Sequence, residues 1–243
     1  AAAGKIPFAS TFAHFAAGRA FDQIRNSIAY PKLNVKICPT HAGVSLGEDG
    51  GSHQSVEDIA LMRSLPGMVV LSPADAVETE QMIFAVAEYN GPVYVRLGRL
   101  NVPVIFDESY EFEIGKGTVM IEGNDVAIIA TGLLVYEAMK ASEALAEKGI
   151  KARVINMSTI KPLDEKIVLE AAKECKFVVT CEEHSIVGGL GGAVTEYLSG
   201  THPTKVIRHG IKDVFGQSGE GDQMLDEYKL RAKDIVEVVL QNM

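Results

Sequence analysis

The chain of 243 residues contains no tryptophan, and aromatic residues make up only 7% of it. Its hydrophobic residues, 47% of the total, are therefore mostly aliphatic, which suits the packing of helices against a sheet. With 23% charged residues, the composition is that of an ordinary soluble globular protein. The length allows one large α/β domain or two modest ones.

Cysteine is also scarce: Cys38, Cys175 and Cys181 are widely spaced and lie in or beside apolar runs. An odd number of cysteines at such spacing is not a disulfide framework, and no Cys/His spacing typical of zinc is present. We therefore expect buried thiols in a reducing cytosol, which makes a cytoplasmic location the default. No secretory signal is visible.

Positive charge is in the minority, with 23 basic against 32 acidic residues and a net charge of −9. The two signs are interspersed, which argues against both a nucleic-acid-binding surface and a charged tail. The longest apolar run, residues 126–135, is too short to span a membrane and is interrupted by Thr131 and Gly132. We therefore expect neither nucleic acid nor a membrane as a partner.

Several catalytic motifs are missing as well, since there is no GxSxG elbow, no P-loop and no HExxH sequence. Residues 182–192 are rich in glycine and lead from a strand into a helix, an arrangement that can cradle a pyrophosphate. The GxGxxG spacing is not met, because the third position after Gly189 and Gly191 is Val194. The signal for a dinucleotide is therefore weak.

What the chain does have is a polar, glycine-rich stretch at residues 40–54, with four glycines, two histidines and two carboxylates. It follows an apolar run, residues 33–38, that predicts a buried strand. A helical pattern follows at residues 55–64, with Ser55 as the predicted N-cap and Asp58 three residues further on. Open α/β sheets bind ligands in loops at the carboxyl ends of strands. On composition alone, a solvated turn explains the stretch equally well.

Alternating strand and helix patterns continue along the chain, which predicts an α/β fold with two open, mostly parallel sheets and helices on both faces. Strands of the first half are predicted near residues 6–9, 33–38, 68–72 and 91–96. Strands of the second half are predicted at residues 118–121, 126–130, 151–156, 177–180 and 205–207. Residues 107–115 are mixed in character and predict a linker between a domain at residues 1–106 and a domain at residues 116–243.

Residues 47–54 read Gly-Glu-Asp-Gly-Gly-Ser-His-Gln, and the segments Arg63-Ser-Leu-Pro-Gly-Met and Pro73-Ala-Asp-Ala follow. Together with Ala9-Ser-Thr-Phe-Ala-His-Phe15 upstream, these motifs resemble the pyrimidine-binding (Pyr) domain of transketolases. The resemblance covers nearly the whole chain and points to the C-terminal subunit of a split transketolase. It implies a thiamine-diphosphate-binding Pyr domain, incomplete at its N-terminus, followed by the transketolase C-terminal domain. In that family the 182–192 segment mainly serves packing and subunit contacts, which makes His184 a structural residue.

The resemblance implies a cofactor-binding role for two aromatic side chains. Phe12 and Phe15 match positions that line the pocket for the aminopyrimidine ring of thiamine diphosphate. A third aromatic of the family, further along the same helix, is replaced here by Gly18. This departure opens the pocket wall or leaves the contact to another residue.

The resemblance also implies four substrate-binding residues. His41 would contact the phosphate of the sugar, Asp49 a sugar hydroxyl, and His53 the donor sugar near its reacting carbonyl, which makes His53 the expected catalytic residue. Arg99 matches a phosphate-binding arginine, and a guanidinium suits a phosphate dianion. Arg96 is the alternative arginine.

Two parts of the family's machinery lie outside this sequence. One is the glutamate that activates the cofactor, expected shortly before Ala1, and the other is the diphosphate-binding (PP) domain with its metal motif. We therefore expect no metal ligand on this chain, and we expect Mg²⁺ and the diphosphate to be bound by a partner subunit that carries the PP domain. Two chains of each kind would form a heterotetramer. The implied reaction transfers a two-carbon ketol unit between sugar phosphates, as in the pentose phosphate pathway.

Two alternatives remain open. The segment Asp22-Gln-Ile24 is a feature of deoxyxylulose-phosphate synthases and of the β subunits of 2-oxo acid dehydrogenases, which are thiamine diphosphate enzymes of the same architecture. The other alternative is a non-catalytic scaffold that keeps the fold and assembles with a partner. The missing glutamate would support a scaffold if the natural gene begins near Ala1.

Overall fold

The computed structural model describes residues 1–243. Its strands are β1 (Phe8–Ala9), β2 (Lys36–Ile37), β3 (Val69–Leu71), β4 (Val93–Val95), β5 (Thr118–Ile121), β6 (Val126–Ala130), β7 (Ala152–Asn156), β8 (Thr159–Lys161), β9 (Val178–Ser185) and β10 (Val206–Ile211). Its helices are α1 (Phe21–Gln23), α2 (Asp58–Arg63), α3 (Ala76–Glu88), α4 (Leu134–Ala146), α5 (Glu165–Glu174), α6 (Leu190–Thr201), α7 (Gly221–Glu227) and α8 (Ala232–Leu240). None of these helices is both long enough and apolar enough to cross a membrane.

The strands form two five-stranded sheets, with the orders β1-β2-β4-β3-β8 and β10-β9-β6-β7-β5. Neighbouring strands are parallel except where β8 pairs with β3 and where β5 pairs with β7. The prediction of two open, mostly parallel sheets is confirmed.

Helices cover both faces of each sheet, because successive side chains of a strand point to opposite faces. In the first sheet, Val70 packs with the helical residues 14–29 and with α2, whereas Val69 packs with α3 on the other face. In the second sheet, Ile128 packs with α4 and α8, whereas Ile129 packs with α5 and α6. Each sheet is therefore the middle layer of three.

The first helix is wound more widely than its sequence pattern predicts. Apolar residues at residues 11–27 recur with the three-and-four spacing of one regular helix, but wide turns at His14–Arg19 and Ile24–Ala29 flank the short α1. In the first wide turn, the Ala20 N–H donates to the carbonyl of Phe15, five residues back, at 3.0 Å. Wide turns of this kind are frequent at functional sites.

The start of α2 also differs from the prediction. The helix begins at Asp58 with Glu57 as its N-cap, and the buried Ser55 hydroxyl has no hydrogen-bond partner. The Asp58 carboxylate accepts hydrogen bonds from the Tyr94 hydroxyl and from Arg96 Nε, each at 2.9 Å. The predicted N-cap at Ser55 was wrong. The Asp58 carboxylate, which would have completed that cap, is instead held in a buried ion pair.

The strand β8, which the sequence analysis did not predict, joins the second half of the chain to the first sheet. It lies beyond β7 but pairs antiparallel with β3. Lys161, its last residue, donates from Nζ to the carbonyls of Arg63 and Leu65 at 2.8 and 2.6 Å. The second half of the chain therefore holds the C-terminal end of α2.

The segment predicted as a linker, residues 107–115, forms neither a strand nor a helix. It is fastened along α3 rather than free. The Tyr110 hydroxyl donates to Glu78 Oε1 at 2.6 Å, and the Phe112 N–H donates to Gln81 Oε1 at 2.8 Å.

Candidate active site

The polar loop at residues 40–54 follows β2 and lies at the carboxyl end of this strand, as the sequence predicts. A short parallel bridge joins Thr40 to Phe12, and the Ala13 N–H donates to the Thr40 carbonyl at 2.8 Å. An antiparallel bridge joins Gly43 to Ser55. The two bridges close the base of the loop and place the start of the first helix beside it.

Four predicted site residues, Phe12, Phe15, His41 and His53, form one aromatic cluster. Phe12 stacks on His41 with the ring centroids 4.1 Å apart and 12° between the planes. Phe12 and Phe15 are nearly parallel at 6.0 Å, and the His53 ring stands edge-on to both, at 6.2 and 5.4 Å. All four side chains are only half-buried, so part of each ring remains open to a ligand.

The other two predicted residues, Asp49 and Arg99, are exposed at the rim of this cluster. Arg99 Nη1 donates to the carbonyl of Leu46, which holds the guanidinium against the loop. Burial lowers the pKa of His41, the Arg99 guanidinium lowers it further, and the Asp49 carboxylate opposes both effects. The three groups therefore lie close enough to interact, and the net effect favours the neutral form of the His41 imidazole.

Hydroxyl groups that the sequence analysis did not single out orient both histidines. Nδ1 of His41 lies 2.8 Å from Thr40 Oγ1, and Nδ1 of His53 lies 3.0 Å from Ser52 Oγ. In each imidazole this leaves Nε2 to exchange a proton or a hydrogen bond with a ligand. His41 also has a positive φ of 61°, a strained conformation for a non-glycine residue that clusters at functional sites.

Arg96, the alternative phosphate ligand, is not part of this surface. Its side chain is 6% exposed, and its Nε is paired with Asp58 at 2.9 Å. Its Nη2 donates to the carbonyl of Glu183 at 2.9 Å. A guanidinium held in a buried ion pair does not reach a sugar phosphate, so of the two predicted arginines Arg99 is the one that is available.

Residues from the second half of the chain support the loop, although no pattern in the sequence pointed to them. Glu183 in β9 is buried, and its Oε1 accepts the Ser45 N–H at 2.6 Å. Nε2 of Gln54 donates to the carbonyls of Val44 and Gln217, each at 2.9 Å. No local pattern predicts such contacts, because Glu183 and Gln217 are more than 130 residues away along the chain.

The glycine-rich segment at residues 182–192 leads from β9 into α6, but a carboxylate of the chain itself occupies the N-terminus of this helix. Glu182 accepts the N–H groups of Leu190 and Gly191 at 2.6 and 2.8 Å. Its side chain is fully buried, and burial raises the pKa of Glu182 to about 7. His184 beside it is also fully buried. The segment is therefore built for packing, and a pyrophosphate would have to displace Glu182.

Two cavities of about 470 and 490 Å³ lie elsewhere in the chain. The first lies at the junction of the two sheets and is lined by residues that include Asp75, Arg96 and Glu183. The second lies beside His209 and Asp234 near the C-terminus. None of the six predicted site residues lines either of these cavities. The four rings of the aromatic cluster are instead partly exposed at the surface.

Comparison with known proteins identifies the family. The family model of the transketolase pyrimidine-binding domain matches residues 1–104, and that of the transketolase C-terminal domain matches residues 115–235. A Methanocaldococcus jannaschii protein described as a transketolase C-terminal section is 51% identical over 100% of this chain and 77% of its own length. The chain belongs to the transketolase family.

Further members of the transketolase family extend the comparison. A 6-deoxy-6-sulfo-D-fructose transketolase subunit of Clostridium sp. strain MSTE9 is 43% identical over 97% of this chain and 73% of its own length. A solved structure described as a split gene transketolase, inactive β4 tetramer, superposes with a TM-score of 0.93. It is 51% identical and the match covers 99% of this chain and 77% of that one. The two-sheet architecture is therefore that of a split transketolase subunit.

The aromatic cluster fits the thiamine diphosphate on which the transketolase family depends. Phe12 and Phe15 offer half-buried, nearly parallel rings to a flat heterocycle. The ring of His14 meets Phe15 edge-on at 5.3 Å, and its buried Nδ1 has no partner in the chain. Gly18 is exposed, so no third aromatic ring closes this side. No three or more His, Cys, Asp or Glu side chains are grouped to hold a metal ion.

Proposed function

We propose that this chain is the Pyr and C-terminal subunit of a split transketolase, which transfers a two-carbon ketol unit from a ketose phosphate to an aldose phosphate. The observation that carries the proposal is the convergence of Phe12, Phe15, His41 and His53 in one open cluster, with Arg99 at its rim. These side chains provide a surface for a flat ring, free imidazole nitrogens and a cation for an anionic group in one place.

In this proposal Phe12 and Phe15 bind the aminopyrimidine ring of thiamine diphosphate. Apolar burial and offset stacking on the two rings stabilise it, with about 1 kcal/mol from stacking beyond the buried area. When bound, thiamine diphosphate supplies the nucleophilic carbon that adds to a ketose carbonyl. The chain's own residues hold the two sugars in register with it.

The sugars are bound by the four polar residues of the site. Nε2 of His53 exchanges a proton or hydrogen bond with the oxygen of the reacting carbonyl or its neighbouring hydroxyl. The Asp49 carboxylate accepts a hydrogen bond from a sugar hydroxyl. Arg99, with its fork of N–H donors, and His41 bind the terminal phosphate.

The partner is a subunit with the PP domain, which binds Mg²⁺ and the diphosphate. The open cluster supports this, because its exposed side needs a cover that this chain does not supply. Self-association is part of the proposal, and two chains of each kind form a heterotetramer. The related split transketolase, described as an inactive β4 tetramer, supports both self-association and the need for a partner. We assign residues 1–106 to the Pyr domain, 107–115 to the linker and 116–243 to the C-terminal domain.

A sulfonated sugar is a second candidate donor. The relative from Clostridium sp. is a 6-deoxy-6-sulfo-D-fructose transketolase subunit and is 43% identical to this chain. A sulfonate carries one negative charge where a phosphate dianion carries two, and Arg99 and His41 offer donors to either anion. Both a ketose phosphate and a sulfonated ketose are therefore tested as donors.

The experiment is a ketol-transfer assay on the full-length parent of this chain, with and without the PP-domain subunit, in the presence of thiamine diphosphate and Mg²⁺. The donors are xylulose 5-phosphate and 6-deoxy-6-sulfofructose, and the acceptor is ribose 5-phosphate. We expect turnover only for the pair of subunits, and a loss of about 100-fold or more in kcat for His53→Ala. His202→Ala, a histidine at the end of α6, is the matched control and should keep full activity.

Three results contradict the proposal. Turnover by this chain alone would show that no PP-domain subunit is needed. Consumption of pyruvate by the pair, without ketol transfer, would assign the chain to the other thiamine diphosphate enzymes. If the pair shows no turnover and binds no cofactor, a non-catalytic scaffold subunit would be the remaining explanation.

A further inference from the structure

The loop that carries His53 is packed against the far end of the chain. We call residues 216–221 the C-terminal clamp. A side chain at Gly50 would collide with the Ser218 hydroxyl, and one at Gly51 would collide with the carbonyl oxygen of Gly216. The backbones of the loop and the clamp are therefore in direct contact, at a distance that only glycine permits.

Gln54 ties the loop to this clamp with both hydrogens of its amide. Its side chain is 4% exposed, and Nε2 donates to the Val44 carbonyl within the loop and to the Gln217 carbonyl in the clamp, each at 2.9 Å. Its Oε1 lies against Gly216, where any side chain would collide with it. Two carbonyl acceptors on one side and a glycine on the other leave the amide a single orientation.

His53 has only local hydrogen bonds of its own. Its N–H donates to the Gly50 carbonyl at 2.9 Å, and its Nδ1 contacts the hydroxyl of the adjacent Ser52. The Gln54 N–H donates to the same Gly50 carbonyl at 3.2 Å. His53 and Gln54 therefore share one tight turn, and the Gln54 side chain is the hydrogen-bonded link from that turn to the clamp.

We propose that Gln54 is a positioning residue that, through the C-terminal clamp, sets the place of the His53 imidazole in the transketolase reaction. The inference rests on the proposed function of His53. In this inference the C-terminal domain contributes to the reaction indirectly, through the backbone carbonyl that holds the Gln54 side chain. A shift of about 1 Å at a catalytic group costs on the order of 100-fold in rate, so a loosened turn should lower kcat strongly.

Two substitutions loosen the turn in different ways. Gln54→Leu keeps the volume of the side chain and removes both N–H donors, whereas Gly216→Ala pushes a methyl group into Gln54 Oε1. In the complex with the PP-domain subunit, we expect kcat for the donor to fall roughly 30- to 100-fold. The Kd of thiamine diphosphate should change much less than kcat, because Phe12 and Phe15 lie outside the tight turn that carries Gln54 and contact that turn through the edge of the His53 ring.

Matched controls make the same substitutions away from the clamp. Gln241→Leu replaces an exposed glutamine just after α8, and Gly200→Ala adds a methyl group that meets nothing within 4 Å. Both should keep wild-type kinetics. If both Gln54→Leu and Gly216→Ala fold, an unchanged kcat in both overturns the proposal. If only one of them folds, an unchanged kcat in that variant overturns it.

A double-mutant cycle separates positioning from a merely structural role. If Gln54 acts through His53, adding Gln54→Leu to a His53→Ala enzyme should cost less than about twofold, because the group to be positioned is gone. The same 30- to 100-fold loss in the His53→Ala background would show that Gln54 acts independently, which overturns the proposal.

A readout without turnover distinguishes this inference from the proposed function. The imidazole nitrogen signals of His53 in NMR spectra should shift in Gln54→Leu and Gly216→Ala but not in the two controls. If the wild-type pair transfers no ketol unit, the proposed function fails, while the His53 signals still report whether the clamp places this ring. Unchanged His53 signals in both clamp variants would overturn the positioning role.

Discussion

Replacing Arg96 by methionine measures how much the stability of the fold depends on one buried ion pair, whose arginine also donates a hydrogen bond to the second half of the chain. Arg96 Nε lies 2.9 Å from Asp58 Oδ2, and the two side chains are 6% and 0% exposed. The Tyr94 hydroxyl donates to the same oxygen, and Arg96 Nη2 donates across the junction to the Glu183 carbonyl at 2.9 Å. Methionine keeps much of the aliphatic stem and removes the charge and the donors.

The expected loss of stability follows from the charge that remains buried when Arg96 is removed. Asp58 stays fully buried without its counter-charge, which costs about 3–5 kcal/mol of the free energy of unfolding. For a chain of this size, that corresponds to a melting temperature lower by roughly 6–20 °C. Adding Asp58→Asn to Arg96→Met removes the uncompensated charge and should recover part of the loss.

The assay is urea unfolding of the full chain at pH 7.5, followed by circular dichroism. Lys233→Met is the control, because Lys233 and Asp226 form an ion pair of the same 2.9 Å length whose side chains are 70% and 53% exposed. Its removal should leave the free energy of unfolding nearly unchanged, because water screens this exposed pair. A loss below about 1 kcal/mol for Arg96→Met, or equal losses for the two variants, would refute the reasoning from burial.

Further predictions concern pH, cofactor affinity and loop packing. Burial raises the pKa of Glu182 from 4.5 to about 7, so the folded state retains a proton that the unfolded state releases; stability should fall as pH rises through this range. In Glu182→Gln, the melting temperature should depend less steeply on pH between pH 5 and 8 than in the wild type. An equally steep dependence in the variant would contradict this role of Glu182. Phe15→Ala should weaken thiamine diphosphate binding to the complex at least about 10-fold in calorimetry, with the exposed Phe84→Ala unchanged; equal affinities would exclude the aromatic site. Gly51→Ala should lower stability by about 1–3 kcal/mol in thermal melts, because its methyl group meets the Gly216 carbonyl, and an undiminished melting temperature would contradict that packing.

Local patterns in the sequence determined most of the elements and supplied the candidate site residues. Apolar runs predicted β6 and β7, and Asp75 and Asp164 begin α3 and α5 as N-caps, each accepting an N–H three residues on. The motif at residues 47–54 and the phenylalanine pair carried the resemblance from which the candidate site was predicted, because each is a short stretch with specific residue types. The structure brings the four aromatic site residues together and places Asp49 and Arg99 near His41, because these residues lie at the ends of neighbouring elements.

Other features were decided only where distant parts of the chain meet. The Asp58 carboxylate pairs with Arg96 instead of capping a helix, and Thr159–Lys161 becomes a strand because β3 offers it an open edge. Gln54 acquires its orientation from Gln217, which is 163 residues away. Short-range propensity amounts to tenths of a kcal/mol per residue, whereas a buried charge or an unpaired backbone group costs several times more. Tertiary contacts therefore determine the conformation wherever the two compete.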